Sequence, residues 1–211
     1  MLIHPWDLAD EKTWRPWLAG RDFGTLAANG PDGEPPILVP THFLFDEGAG
    51  PDGSDEVVLH LARPNSFWAA VEASPRVTLA VTDDYAFIPG TWRAAEDTAP
   101  EHGVPTSYYA SVHLICTASV VDDPAAKAAL MDRQYARFQP DVAHEPIVPG
   151  QAPFGKMLSA IRFLRLRVDE VRAKAKYDDH KDDALAARVR TGLTRRARPL
   201  DGVVAERLRR G

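Results

Sequence analysis

Arg63 and Asn65 stand at the bend where a β-prone run (57–62, VVLHLA) passes into a helix-prone one (65–74), which Pro75 stops before a second β-prone run. A helix start carries free N–H groups and the positive end of the helix dipole, so it attracts anions. A guanidinium and a carboxamide at that point turn a general tendency into a site for a phosphate. Neither glycine fingerprint of the common nucleotide folds occurs: there is no GxGxxG, and no GxxxxGK followed by Ser or Thr. A phosphorylated ligand gripped here would sit on a different scaffold.

Other side chains around this bend have two readings each. His60 shares a strand face with Ala62 by alternation, and either donates to a cofactor oxygen or satisfies a nearby carbonyl. Thr41 and His42 are a polar pair in an otherwise apolar strand, as occurs where strands line a ligand crevice. His113 is a third strand histidine. These three lack the close HxH or HxxxH spacing and the supporting acid of a metal centre. The acidic run 178–183 lacks the glycine and terminal glutamate of a calcium loop and reads as a solvated turn before a helix. Cys116 lies among apolar neighbours, where a thiolate is disfavoured, and no GxSxG is present. No side chain is therefore assigned as a catalytic acid, base or nucleophile. Trp92, in a Pro-rich segment, and Tyr109 offer flat faces that could cover an aromatic ligand from water. Trp92 reads equally well as a residue that packs its loop to the body.

The elements that must position these residues follow from hydrophobic period and turn chemistry. A short helix is expected over 10–20, burying Trp14, Trp17 and Leu18, then strands over 23–28 and 37–45. After the 57–82 strand–helix–strand unit comes an irregular segment, 88–105, followed by a long β-prone run over 107–121. Asp123-Pro124 opens a helix to about Phe138, and a Pro-rich loop covers 140–153. Strands are expected over 161–168 and 171–177. Two terminal helices follow, with apolar stripes Leu185, Val189, Leu193 and Val203, Val204, Leu208. Without regular βαβ alternation, the pattern fits an antiparallel barrel with peripheral helices, mainly β in an α+β arrangement. The expected division is a barrel over 1–178 and a helical extension over 179–211.

At 211 residues, 45% hydrophobic and 26% charged, the composition is that of an ordinary globular chain. The apolar runs fall short of a membrane span, no export signal is visible at the start, and one cysteine cannot form an internal disulfide. A cytoplasmic location is the expectation. The net charge of −5 is uneven: from Arg162 onward 15 Lys and Arg face 8 Asp and Glu, so the remainder carries −12. A basic tail of this kind serves nucleic acid, or lies against an acidic body or a partner subunit. No helix-turn-helix or basic-zipper pattern accompanies it.

An ordered set of residues resembles one family. It comprises Thr41-His42 with Phe43-Leu44-Phe45, then His60-Leu61-Ala62-Arg63 with Asn65 and Trp68, Tyr85 to Pro89, and Trp92. It continues through Glu101-His102-Gly103-Val104-Pro105-Thr106, Tyr109, Val112-His113, and Lys174 with Lys176. These resemble the FMN-binding negative transcriptional regulators, the PaiB-like family of the split-barrel, pyridoxamine phosphate oxidase-like fold. The family's Trp-Asn pair before the tyrosine is replaced by Ser107-Tyr108, and its Gln-Asn-Arg segment by Asp179, His180 and Lys181. The resemblance implies a homodimer with two FMN molecules at the subunit interface. It implies cofactor contacts from Thr41, His42, His60, Ala62, Arg63, Asn65, Trp92, Tyr109, His113, Lys174 and Lys176, with Arg63 and Asn65 on the phosphate. Two activities stay open: a flavin-dependent oxidoreductase, or a transcriptional regulator that senses flavin, haem or another cofactor and touches DNA with its basic end.

Overall fold

The computed structural model describes residues 1–208. In chain order it contains α1 (Glu11–Ala19), β1 (Phe23–Ala28), β2 (Ile37–His42), β3 (Leu44–Asp46), β4 (Glu56–Ala62) and α2 (Phe67–Ala73). There follow β5 (Arg76–Ile88), α3 (Gly90–Arg93), β6 (Thr106–Val121), α4 (Pro124–Phe138), α5 (Gly155–Ser159), β7 (Ile161–Lys176), α6 (Asp183–Arg196) and α7 (Asp201–Arg207). The strands form one seven-stranded antiparallel sheet in the order β2-β1-β5-β6-β7-β4-β3. The residues gather into two compact units. The first takes Met1–Trp17, Val81–Val112 and the described chain from Arg172 on; the second takes Leu18–Ala80 and His113–Val171.

In the second unit, the single strand expected over 37–45 is two strands broken at Phe43. The Phe43 ring is buried and its N–H donates to Asp22 O at 2.8 Å, which turns the chain out of β2. β2 pairs with β1 and β3 with β4, so consecutive strands lie at opposite ends of the strand order. A sheet whose two ends are joined by one residue must curl round on itself, and this makes the barrel. β4 is buried along nearly its whole length, as its Val-Val-Leu run requires. Its register sets His60 opposite Phe163 and Leu59 opposite Leu164.

α4 begins as the sequence predicts. Asp123 Oδ1 accepts from Ala126 N–H at 2.8 Å, with Pro124 in the first turn. Its buried side carries Ala128 and Leu130, but also Lys127 and Gln134. Buried polar side chains are the informative exceptions in a core. Leu130 packs with Leu44, Val58 and Phe163, and Ala128 with Ile147 and Leu158. The Pro-rich loop over 140–153 holds no helix or strand, and α5 follows it, its five residues too few to show a helical period. One expectation needs correction here. The strands expected over 161–168 and 171–177 are one strand, because exposed Asp169 and Glu170 interrupt the apolar pattern without interrupting the backbone.

In the first unit, Leu185, Val189 and Leu193 of α6 share a core with Val204 and Leu208, Ile88, Tyr108 and Tyr177. α6 is capped by Asp182, whose Oδ1 accepts from Leu185 N–H at 2.7 Å. Val203, expected on the α7 stripe, is instead 45% exposed. The irregular 88–105 segment holds α3 and a 3-10 turn at Pro100–His102. Arg93 pins it, with Nε and Nη2 donating to Asp178 Oδ2 at 2.9 and 2.7 Å. Residues 209–211 of the expected 179–211 extension lie outside the described residues.

Candidate functional site

Arg63 follows the last residue of β4, and its side chain is about half exposed. Three contacts fix it. Its backbone N–H donates to Ala160 O at 2.8 Å, Nε to Ser159 O at 3.0 Å, and Nη2 to Asp122 Oδ1 at 3.1 Å. Asp122 is shared with Arg162, whose Nη2 lies 2.8 Å from Oδ2 and whose guanidinium stacks over the Trp68 ring at 4.7 Å. The hydrogen bonds from Arg162, and then the charge of Arg63, hold the Asp122 carboxyl below the usual carboxylate range. These side chains border a cleft of about 410 Å³, whose lining includes Arg63, Asp122, Lys127, Lys156, Gly150 and Gly155. A Cβ on Gly155 would stand 2.5 Å from the Gly150 carbonyl carbon, so the wall depends on two backbones meeting directly.

Asn65 and Ala62 serve the bend itself. Asn65 Oδ1 accepts from Phe67 N–H at 2.9 Å, which engages the first free donor of α2. The Ala62 carbonyl accepts from Trp68 Nε1 at 2.9 Å and from Asn65 N–H at 3.0 Å. Asn65 Oδ1 and the Ala62 carbonyl are thus both engaged within the bend.

His42 and His60 come together, 4.9 Å apart edge to face, but beneath α4. His60 Nδ1 meets Gln134 Oε1 at 2.7 Å, and the His42 ring meets Phe138 at 5.1 Å. Burial pushes the His60 imidazole below its ordinary value, with Gln134 opposing and His42 assisting. Gln134 is 1% exposed, and its Nε2 has no partner among the described residues. Thr41 is buried and donates through Oγ1 to His42 O at 3.1 Å. His113 is half-buried on β6. Burial pushes the Cys116 thiol up to about 12, which keeps it inert at neutral pH.

Four predicted residues belong to the first unit. Lys174 is 7% exposed; its Nζ donates to Leu2 O at 2.9 Å, lies 3.5 Å from Asp7 Oδ2, and stands 5.6 Å from the Tyr109 ring centre. Lys176 Nζ donates to Thr106 Oγ1 at 2.8 Å. Trp92 is seated on α6, where it closes over Gly192 and lies under the Arg196 guanidinium at 5.1 Å. Several cations of the basic tail are engaged locally: Arg196 with Asp201 at 2.6 Å, Arg207 with Asp179 at 2.8 Å, and Arg188 with Ala94 O at 3.0 Å.

Sequence reasoning missed Asp122, Lys127, Lys156 and Ser159. Lys127 left a signal, because it falls on the same helical stripe as Leu130 and Gln134. Among the described residues no group of three or more His, Cys, Asp or Glu is placed to hold a metal ion. No described helix is long and apolar enough to cross a membrane.

The curled sheet defines a split-barrel domain, with the cationic cleft at the end of β4. The family described as "Putative FMN-binding domain" matches residues 2–170, and the chain belongs to it; FMN is the cofactor that family binds. No curated protein matches the chain. Among solved structures it is similar to the flavocytochrome Anf3 of Azotobacter vinelandii, at 20% identity over 81% of this chain and 70% of that one, TM-score 0.59. It is also similar to the FAD and heme binding protein of Mycobacterium smegmatis, at 22% identity over 84% and 78% of the two chains, TM-score 0.56. A third is the conserved hypothetical protein Rv2991 of Mycobacterium tuberculosis, at 19% identity over 83% and 90%, TM-score 0.55. Identities this low establish the fold alone.

The cleft fits the phosphate end of FMN. Its open lining presents two cations, Arg63 and Lys156, beside one carboxylate, Asp122, which Arg162 also neutralises, while the Lys127 ammonium is turned to backbone carbonyls. This positive surplus suits a phosphate monoester, which carries about −1.5 to −2 at neutral pH. The same lining holds no aromatic face, so it fits the phosphate and not the flavin ring.

Proposed function

We propose that this chain is a cytoplasmic FMN-dependent oxidoreductase that works as a homodimer, with the Arg63 cleft gripping the FMN phosphate. The observation that carries this reading is the surplus positive charge of a cleft built around a guanidinium already oriented by the Ser159 carbonyl and the Asp122 carboxylate. Bound flavin supplies the redox chemistry, and the protein holds and tunes it. The finer PaiB-like resemblance rests on the ordered residue set alone. Its regulator reading is weakened by tail arginines that pair with the chain's own carboxylates.

Purified full-length chain is expected to carry, or take up, FMN, with the absorbance spectrum of a flavin rather than a haem. Arg63→Ala removes a charge-assisted hydrogen bond worth about 1.5–3 kcal/mol, which is roughly a 10- to 150-fold loss of FMN affinity. Unchanged affinity removes the phosphate assignment. Reduction of the bound flavin by NADH or NADPH is the expected mark of the oxidoreductase. DNA binding that falls steeply with salt, without such reduction, would replace it with the regulator.

A further inference from the structure

We infer that Lys127 is a positioning residue for FMN binding, which aims Arg63 at the phosphate by clamping the turn between α5 and β7. This rests on the reading of the Arg63 cleft as the phosphate site.

Lys127 is 3% exposed on the buried side of α4, where a lysine is rare unless its ammonium is satisfied. Its Nζ donates to the carbonyls of Leu158 and, at 3.0 Å, Ile161. Those two carbonyls bracket Ser159 and Ala160. The carbonyls of Ser159 and Ala160 are in turn the acceptors for Arg63 Nε and Arg63 N–H, at 3.0 and 2.8 Å. Four consecutive carbonyls thus divide between two residues: the outer pair accept from the Lys127 ammonium, and the inner pair from the guanidinium and the backbone N–H of Arg63. The turn cannot shift without carrying the guanidinium with it.

The arrangement has a physical rationale. Arg63 sits at the end of a strand with a half-exposed side chain, and such a chain loses rotamer freedom when it binds an anion. Preorganisation moves that loss from the binding step to the folding step. Asp122 cannot supply the same restraint, because Arg162 competes for both of its oxygens. A clamp made from a buried ammonium and backbone carbonyls holds Arg63 without adding a second carboxylate to the phosphate's surroundings.

The test compares FMN with riboflavin, which has the same ring and ribityl chain but no phosphate. Affinities for both are measured by quenching of flavin fluorescence on the full chain, Arg63→Ala, Lys127→Met and the double variant. The full chain is expected to prefer FMN by at least tenfold, and Arg63→Ala to abolish most of that preference. Lys127→Met is expected to lose most of it too, with riboflavin affinity unchanged. The double variant is expected to bind FMN no more weakly than Arg63→Ala alone, since residues acting through one contact are not additive. Equal losses for both flavins, or a loss that adds to that of Arg63→Ala, would make Lys127 merely structural and overturn the inference. If Lys127→Met yields no folded protein, Lys127→Gln decides. Its shorter amide cannot span both carbonyls, so it must reduce the FMN preference, and an intact preference sinks the clamp. If Arg63→Ala leaves the preference intact, the phosphate reading fails first, and visibly apart from any effect at Lys127.

Discussion

His60 and Arg63 are three residues apart and end up in opposite circumstances. His60 points under α4, where Gln134, His42 and Phe163 surround its ring. Arg63 lies at the rim of a cleft, about half exposed, with carbonyls behind it and a surplus of cations beside it. Both are polar residues at the end of one strand, and strand alternation separates His60 from its neighbours but does not reveal what lies above it. The covering element decides. A side chain closed over by a helix can only stabilise or destabilise the fold, whereas one held from behind and open in front can meet a ligand.

The largest expected effect tests that division directly. Arg63→Ala weakens FMN binding in the titration described above, whereas His60→Gln leaves FMN affinity unchanged in the same titration. A loss at His60 comparable to that at Arg63 would put the flavin beneath α4 and erase the contrast.

Trp92 extends the comparison to the first unit, since its seat on α6 makes it a closed residue like His60. Gly192→Ala is the probe. Alanine in a helix interior ordinarily gains about 1 kcal/mol over glycine. Here the new Cβ would stand 2.6 Å from the Trp92 ring. Overpacking of this kind costs about 1–3 kcal/mol, so the sign should reverse. A lowered urea midpoint is expected, and a raised one would mean that Trp92 leaves its seat freely, as a lid would.

Gln134→Leu sharpens the closed side further. It strips His60 of its partner, but it also removes an amide nitrogen that has none among the described residues. The two effects partly offset, and a destabilisation of about 1 kcal/mol is expected in denaturant titration. Replacing both partners, His60→Leu with Gln134→Leu, should recover much of it.

Much of this fold was legible because its cues are local. The Asp123-Pro124 start of α4, the buried run of β4 and the apolar stripe of α6 follow from capping, alternation and the helical period. The break at Phe43 was not legible, because it is set by a bond to Asp22 from a different stretch of chain. At the site, Arg63 was visible as a cation at a strand end. Its support was hidden: Ser159 and Ala160 contribute backbone carbonyls, which no side-chain type announces. Asp122 looked like one more acid before a helix cap, and only the strand order β6-β7-β4 brings it to Arg162 and Arg63.

The smallest effect concerns pH, and it follows from the closed side alone. The folded-state value of His60 lies below the ordinary 6.5, chiefly because burial disfavours the imidazolium. The unfolded chain therefore binds more protons once pH falls past 6.5, so this contribution to stability is complete above that pH and is lost as pH drops toward the folded value. His60→Gln should flatten the acid side of the stability profile between about pH 7 and pH 5. Gln134→Leu should steepen it, because the Gln134 hydrogen bond is what holds the His60 value up against burial. Opposite changes from two substitutions in one hydrogen bond are difficult to obtain unless Gln134 holds His60, largely buried, beneath α4. Identical profiles in both variants would mean that solvent reaches the imidazole, and that His60 belongs on the open side with Arg63.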